Sequence, residues 1–388
     1  MSTEIRISDY SVSDDTDLRT LGFSIGNKKV TTPTRALNTN TFFRETKIPP
    51  ALASLNELYF TLNETSLKEI NELPAASKAK NKAAHKSIVQ SDNKPTFCLL
   101  QFKNTETIPR YPTTDEIEIL SNTAYSFSDI TPIPSIPKVA RALESENLDA
   151  FLAYLKACYD AIMVRNKKPI MGYIPVTVPL FTRKIIDFYL DNGINAFYID
   201  FDGTLISTHA TALNALKVQI KKRGYEENNF LHYVNVSFGK SINDQEVLSA
   251  RDLLGFGHGL DSLGGIHMGP KRNPEFYEWL KKHKDIIRNT NRILNREDYG
   301  YYRVDRLGTR ISEIIPKDAP IQQSDIISAP ESRQTRAVKI VNLHQQCIES
   351  MVLRTMVNEN PEQTLGYFKS KQNVLENDVK LLSKPTHT

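Results

Sequence analysis

The chain is short of cysteine, long apolar runs and charge of one sign, and each shortage excludes a class of protein. Its 388 residues include three cysteines, Cys98, Cys158 and Cys347. They lie far apart and match no C-x-x-C spacing, so neither a disulfide framework nor a cysteine-rich zinc site is expected, and they are read as buried thiols. No window approaches the ~18 uninterrupted apolar residues of a membrane span, and residues 1–15 are acidic and polar where a signal peptide is basic and then apolar. A soluble, cytoplasmic protein without a membrane partner is the expectation. Lys and Arg number 49 against 45 Asp and Glu, a net +4 that permits nucleic-acid contact without requiring it. With 40% hydrophobic and 24% charged residues, the chain can bury a sizeable core, which excludes extended disorder.

What is present is an alternation of short apolar runs with amphipathic stretches. Residues 1–20 are polar and read as a frayed tail, and Gly26-Asn27 between short apolar runs predicts a hairpin over residues 23–30. The Lys- and Ala-rich run 73–94 reads as a solvated surface helix or loop. From Pro95 onward, strands are expected at 96–102, 123–127, 169–174, 196–199 and 231–237. Helical spacing or helix-end signals cover 139–164, 179–192, 208–224 and 244–254. Pro179 opens one helix and Gly193 follows its end, while Lys221-Lys222-Arg223 suit the negative end of the next. Strand followed by helix, repeated, predicts βα units around a parallel sheet. Beyond Pro270 the alternation stops. A charged helix carrying Trp279, a strand at 299–304 and helices at 341–357 and 361–368 are expected there.

Two motif sets suggest chemistry. The apolar strand ending in Asp200-Phe201-Asp202-Gly203-Thr204 resembles the first motif of haloacid-dehalogenase-type phosphatases, which implies attack on phosphorus by Asp200, acid catalysis by Asp202 and a magnesium ion, with Ser237 and Lys240 in support. A strand turning into a helix also favours Asp and Gly for purely structural reasons.

The second set is longer. Gly26 to Pro33, the stretch from Thr113 to Ile119, Tyr125 to Pro134, Pro169 to Pro175, Gly257 to Ser262 and Val341 to Phe368 together resemble the tRNA-guanine transglycosylase superfamily. The resemblance implies a (β/α)8 TIM-type barrel over residues 21–310, followed by an irregular segment and C-terminal helices over 311–388. It implies exchange of a guanine in tRNA or DNA for a 7-deazaguanine through a covalent glycosyl-aspartate. Carried onto this sequence, the nucleophile is Asp261 and the acid/base partner is Asp92. Asp129, Phe127, Gly172, Tyr173, His258 and Gly259 frame the base, and Lys271, Arg272, Arg303 and Arg306 form a basic rim for nucleic acid. The family's Asp-Ser-Gly-Gly-Phe-Gln segment and its three-cysteine, one-histidine zinc site are absent, so no metal and no cofactor are expected. Partners are then a nucleic acid and a free guanine or 7-deazaguanine base, with homo- and heterodimers both compatible. A non-catalytic subunit that keeps the barrel for binding is the alternative within the same resemblance.

Overall fold

The computed structural model describes residues 4–39, 54–72, 94–165, 167–238, 245–267 and 291–384, together with 275, 278 and 282. Three antiparallel strands come first: β1 (Ile7–Val12), β2 (Arg19–Ile25) and β3 (Lys28–Thr31). Gly26 at φ 60° makes the β2–β3 turn, as its sequence predicts. The segment read as a frayed tail therefore carries a strand, because Ile5 and Leu18 are buried beneath it.

The parallel strands are β4 (Thr34–Arg35), β5 (Leu37–Asn38), β6 (Asn56–Leu62), β7 (Thr96–Phe102), β8 (Thr131–Pro132), β9 (Ile170–Pro175), β10 (Ala196–Asp200) and β11 (Phe230–Val234). After β12 (Val247–Ser249), which belongs to an outer sheet, β13 (Ser262–Leu263) completes the set. A six-stranded sheet ordered β4-β13-β11-β10-β9-β8 and a three-stranded sheet β5-β6-β7 share one strand interrupted at Ala36. They meet again where Gln101 bridges Ser135, with Phe102 N donating to Ser135 O and Ser135 N to Leu100 O. The ring closes, and the fold is a (β/α)8 TIM-type barrel.

Helices connect successive strands on the outside: α1 (Glu64–Glu72), α2 (Thr114–Phe127), α3 (Pro137–Arg141), α4 (Leu148–Met163), α5 (Pro179–Asp191) and α6 (Ala210–Lys222). Between β11 and β13, among the described residues, the short α7 (Leu254–Gly257) follows β12. Pro179 at the start of α5 and Gly193 at φ 66° after its end bear out the punctuation read from sequence. Two expected elements differ. Residues 123–127 are not a strand but the end of α2, which begins with a capping box between Thr113 and Glu116 and buries Ile117, Leu120, Ser121 and Ala124 at helical spacing. Within 244–254, Val247 to Ser249 pair with the outer strand Gly300–Arg303 instead of forming helix.

That outer sheet comprises β12, β14 (Arg292–Asn295) and β15 (Gly300–Arg303). Past it come α8 (Val304–Leu307), α9 (Ile311–Ile314), α10 (Gln323–Ile327), the long α11 (Glu331–Glu359), α12 (Thr364–Ser370) and α13 (Glu376–Lys380). The Lys- and Ala-rich run 73–93 and Trp279 lie outside the described residues. No described helix is long and apolar enough to cross a membrane.

Candidate active site at the C-terminal mouth of the barrel

Side chains alternate along each strand between barrel interior and helix layer. On β10 the interior set is Ala196, Tyr198 and Asp200; register pairs Tyr198 with Tyr173 on one side and His232 on the other. Tyr173 and Tyr198 stack at 5.3 Å, and Phe97 meets the His232 ring edge-on at 4.6 Å. These rings occupy the middle of the barrel.

At the N-terminal end the opening sheet acts as a plug. Arg19 of β2 forks onto Asp261, Nε to Oδ1 at 2.9 Å and Nη2 to Oδ2 at 2.6 Å, and Leu231 N also donates to Oδ2. Asp261 is fully buried. Burial disfavours the Arg19 charge, but the pull of Asp261 and its hydrogen bond more than offset this and raise the guanidinium pKa. Lys28 Nζ and Thr96 N both donate to Asp129 Oδ2, at 2.7 and 2.8 Å. Asp129 precedes β8 and Asp261 precedes β13, so both expected catalytic carboxylates stand at the N-terminal face, opposite the end where barrel enzymes carry out chemistry.

The other expected site residues scatter. Phe127 ends α2 and packs 6.4 Å from Phe60. Gly172 faces the helix layer, where a Cβ would lie 2.7 Å from the Tyr189 ring. His258 is buried beside Lys217 and Asp17, and burial, then Lys217, lowers its pKa to about 4. Gly259, at φ 80°, lies against the Asp17 carbonyl. Arg303 is paired with Asp305 on the outer sheet and Arg306 belongs to α8. Tyr173 alone lies near the opposite rim, close enough for Asp200 and Asp202 to add to the effect of burial in raising its pKa. Asp92, Lys271 and Arg272 lie outside the described residues, as does Lys240 of the phosphatase reading.

At the C-terminal rim a different constellation is assembled. Asp200, the last residue of β10, receives Asp202 N at 2.9 Å and Asn235 Nδ2 at 2.8 Å, both on Oδ1. Both donors belong to residues with left-handed backbone, Asp202 at φ 50° and Asn235 at φ 58°. Such strain in non-glycine residues persists where surrounding contacts over-determine it, and it clusters at functional sites. Burial raises the Asp200 pKa despite these hydrogen bonds. Arg141 of α3 forks onto Asp202, with Nε 2.5 Å from Oδ2 and Nη2 on Oδ1. Asn235 Oδ1 in turn accepts His267 N at 2.8 Å.

Beneath this rim sits a fully buried carboxylate. Glu57 Oε2 meets His232 Nε2 at 2.7 Å, while Oε1 meets His267 Nε2 at 2.6 Å and receives Gly265 N at 2.9 Å. Burial works against the Glu57 charge, but the two imidazoles outweigh it and hold the carboxyl well below its ordinary range. Burial lowers the His232 pKa. Gly264 allows this approach, since a Cβ there would collide with Glu57 and Val234 and lie 2.7 Å from His232 Nε2. The His267 ring stacks on Tyr59 at 3.9 Å with 3° between planes, and Tyr59 OH donates to Gln101. Burial, together with the carboxylates Asp200 and Glu57, pushes the Tyr59 pKa up.

Glu57, Tyr59, Gln101, Arg141, His232 and Asn235 carry no short motif. The available signal was a charged or polar residue inside an apolar strand run, as in Asn56-Glu57-Leu58-Tyr59-Phe60 and Phe230-Leu231-His232-Tyr233-Val234. Asp200 and Asp202 were legible, at and just past the end of the sixth barrel strand. Among the described residues no group of three or more His, Cys, Asp or Glu is placed to hold a metal ion.

No family model matches the chain, and no curated protein matches it. Similar solved structures include the carboxyl transferase domain of Rhizobium etli pyruvate carboxylase with pyruvate, at 11% identity and TM-score 0.34 over 80% of this chain and 44% of that one. The HMG-CoA lyase from Brucella melitensis matches at 12% and 0.33 over 64% and 85%, and the fructuronate-tagaturonate epimerase from Cohnella laeviribosi at 7% and 0.29 over 97% and 94%. The chain spans 23% of the full Rhizobium etli pyruvate carboxylase chain. These likenesses are too distant to carry chemistry. They do correct the resemblance drawn from sequence: the similar structures are carboxyltransferase, lyase and epimerase barrels, not a tRNA-guanine transglycosylase, and no family model supports that assignment. Asp129 and Asp261, the carboxylates carried over with that resemblance, stand at the N-terminal face, held by Lys28 and Arg19.

Proposed function

We propose that the protein is an enzyme acting at the C-terminal mouth of its barrel, with Asp200 as the carboxylate that moves a proton on a polar organic substrate. The observation that carries this reading is the pair of left-handed residues, Asp202 and Asn235, both donating to Oδ1 of the buried Asp200. That arrangement fixes one oxygen and leaves Oδ2 as the oxygen that reacts. A carboxyl whose pKa is raised by burial exchanges protons closer to neutrality than an exposed one, which suits general acid–base catalysis. Arg141 and Asp202 offer charged groups of both signs for orienting the substrate.

A second reading is favoured by the Tyr59 and His267 rings, stacked beside the same carboxylate. In it Asp200 attacks the anomeric carbon of a guanosine in the polymer, the glycosidic C–N bond breaks and guanine departs carrying a proton, and the incoming base, giving up its own proton, displaces Asp200 in turn, so that the guanine exchange expected from sequence has its nucleophile at Asp200 rather than Asp261. A cytoplasmic setting belongs to either reading, and localisation of a tagged chain checks it.

The test is NMR-detected solvent-deuterium exchange into a panel of 2-oxo acids, hydroxyketones and sugar acids, run beside incorporation of labelled guanine into bulk tRNA and DNA. Each assay uses the wild-type protein and Asp200→Asn. Exchange reduced roughly 10²- to 10⁴-fold by the substitution supports proton transfer. Guanine incorporation lost in the variant supports the second reading. Turnover that is equal in both proteins, or absent from both across all panels, overturns the assignment of Asp200.

A further inference from the structure

The Glu57 carboxylate gathers three polar groups, His232 from β11 and the Gly265 amide and His267 ring from the segment after β13, and nothing in the proposed chemistry yet uses it. A carboxylate held ionised can only accept hydrogen bonds. Each imidazole that reaches it through Nε2 must therefore carry its proton on that nitrogen. His232 supports this independently: its Nδ1 is buried and has no partner. An N–H there would be an unmet donor, whereas a bare lone pair is the less costly state.

We propose that Glu57 is a positioning residue that locks His232 and His267 as Nε2–H tautomers, so that Nδ1 of His267 is the ring nitrogen presented to substrate beside Asp200. The inference rests on the reading of the C-terminal rim as the reaction site. His267 is tied to Asp200 through Asn235, whose side chain accepts the His267 amide and donates to Asp200 Oδ1. Stacking on Tyr59 fixes the plane of the ring. The rim then holds two proton-carrying groups, a carboxyl and an imidazole, with Glu57 as the orienting group behind the imidazole. The groups around the two rings are Glu57, Tyr59, Asp200, Asn235 and, near His232, Arg35.

The experiment is ¹⁵N NMR of the full chain labelled only in histidine, which has eight such residues, with His232→Gln and His267→Gln used for assignment. In the wild type both rings are expected to show a protonated Nε2. A bare Nε2 on either ring overturns the proposal without any substitution at Glu57. In Glu57→Gln one amide oxygen and one amide NH₂ replace two acceptor oxygens, so one ring is expected to change to the Nδ1–H form. The Asp200-dependent reaction is expected to lose roughly 10- to 100-fold in kcat with KM little changed, the usual effect of removing an orienting partner. Unchanged kcat in a variant whose tautomer has changed overturns the positioning role. Absence of any Asp200-dependent reaction counts against the function reading, while the ring-nitrogen spectra still decide the tautomers.

Discussion

Replacing Arg19 with Met should destabilise the protein severely while leaving the reaction site chemically intact. The guanidinium makes a two-pronged contact with the fully buried Asp261 and also donates to Asn229 Oδ1 at 2.8 Å. Removing one partner leaves a charge in the barrel floor with Leu231 N as its remaining donor, and such broken buried pairs cost about 3–5 kcal/mol. Set against a typical net stability of ~5–15 kcal/mol, that shifts the folding equilibrium by roughly two to four orders of magnitude. Urea unfolding followed by far-UV circular dichroism reads the change as a lower midpoint at constant slope. The double variant Arg19→Met/Asp261→Leu should recover most of the loss, because two apolar side chains replace the pair without burying an unpaired charge. Catalysis should survive in the double variant, since Asp261 stands at the opposite end of the barrel from Asp200. A loss below about 1 kcal/mol in the single variant would refute the energetic argument. A stable but inactive double variant would refute the structural role of Asp261.

Two further outcomes follow from the packing. Asp252 is buried between the barrel and α11, accepts Tyr301 OH at 2.8 Å and Gln346 Nε2 at 3.0 Å, and is raised by burial from its ordinary 3.8 to about 6. The folded state therefore binds this proton more tightly than the unfolded chain, so the stability it contributes is present below pH 3.8 and is lost as pH rises to about 6. Asp252→Asn should flatten that part of the pH–stability curve, and an unchanged slope in pH-dependent urea titrations would count against it. Gly172→Ala should cost about 1–3 kcal/mol, because the new Cβ would lie 2.7 Å from the Tyr189 ring, whose hydroxyl is tied to Tyr173 O; thermal unfolding checks this.

The strand-and-helix alternation was legible because it is local. Pro179 and Gly193 bracket α5 by their own backbone preferences, and Gly26 makes its turn for the same reason. The error at 123–127 has a local cause as well, since a five-residue run of aromatic and small residues fits either period until the capping box that begins at Thr113 is counted with it. Asp261 and Asp129 misled for the opposite reason. A carboxylate at a turn looks the same whether its strand is about to begin or has just ended, and only strand direction says which face it occupies.

By itself, then, the sequence determined the parts: parallel strands with covering helices, a sizeable core and a conspicuous Asp200-Phe201-Asp202 at one strand end. Tertiary structure decided which end of the barrel each polar group faces. Closure of the sheet brings Glu57 within 2.7 Å of both His232 and His267, the farther of them 210 residues away in the chain, and it seats the N-terminal hairpin over Asp261. Neither juxtaposition has a sequence period to announce it, because contacts across a closed barrel depend on the stagger of strands that the chain reaches only after folding.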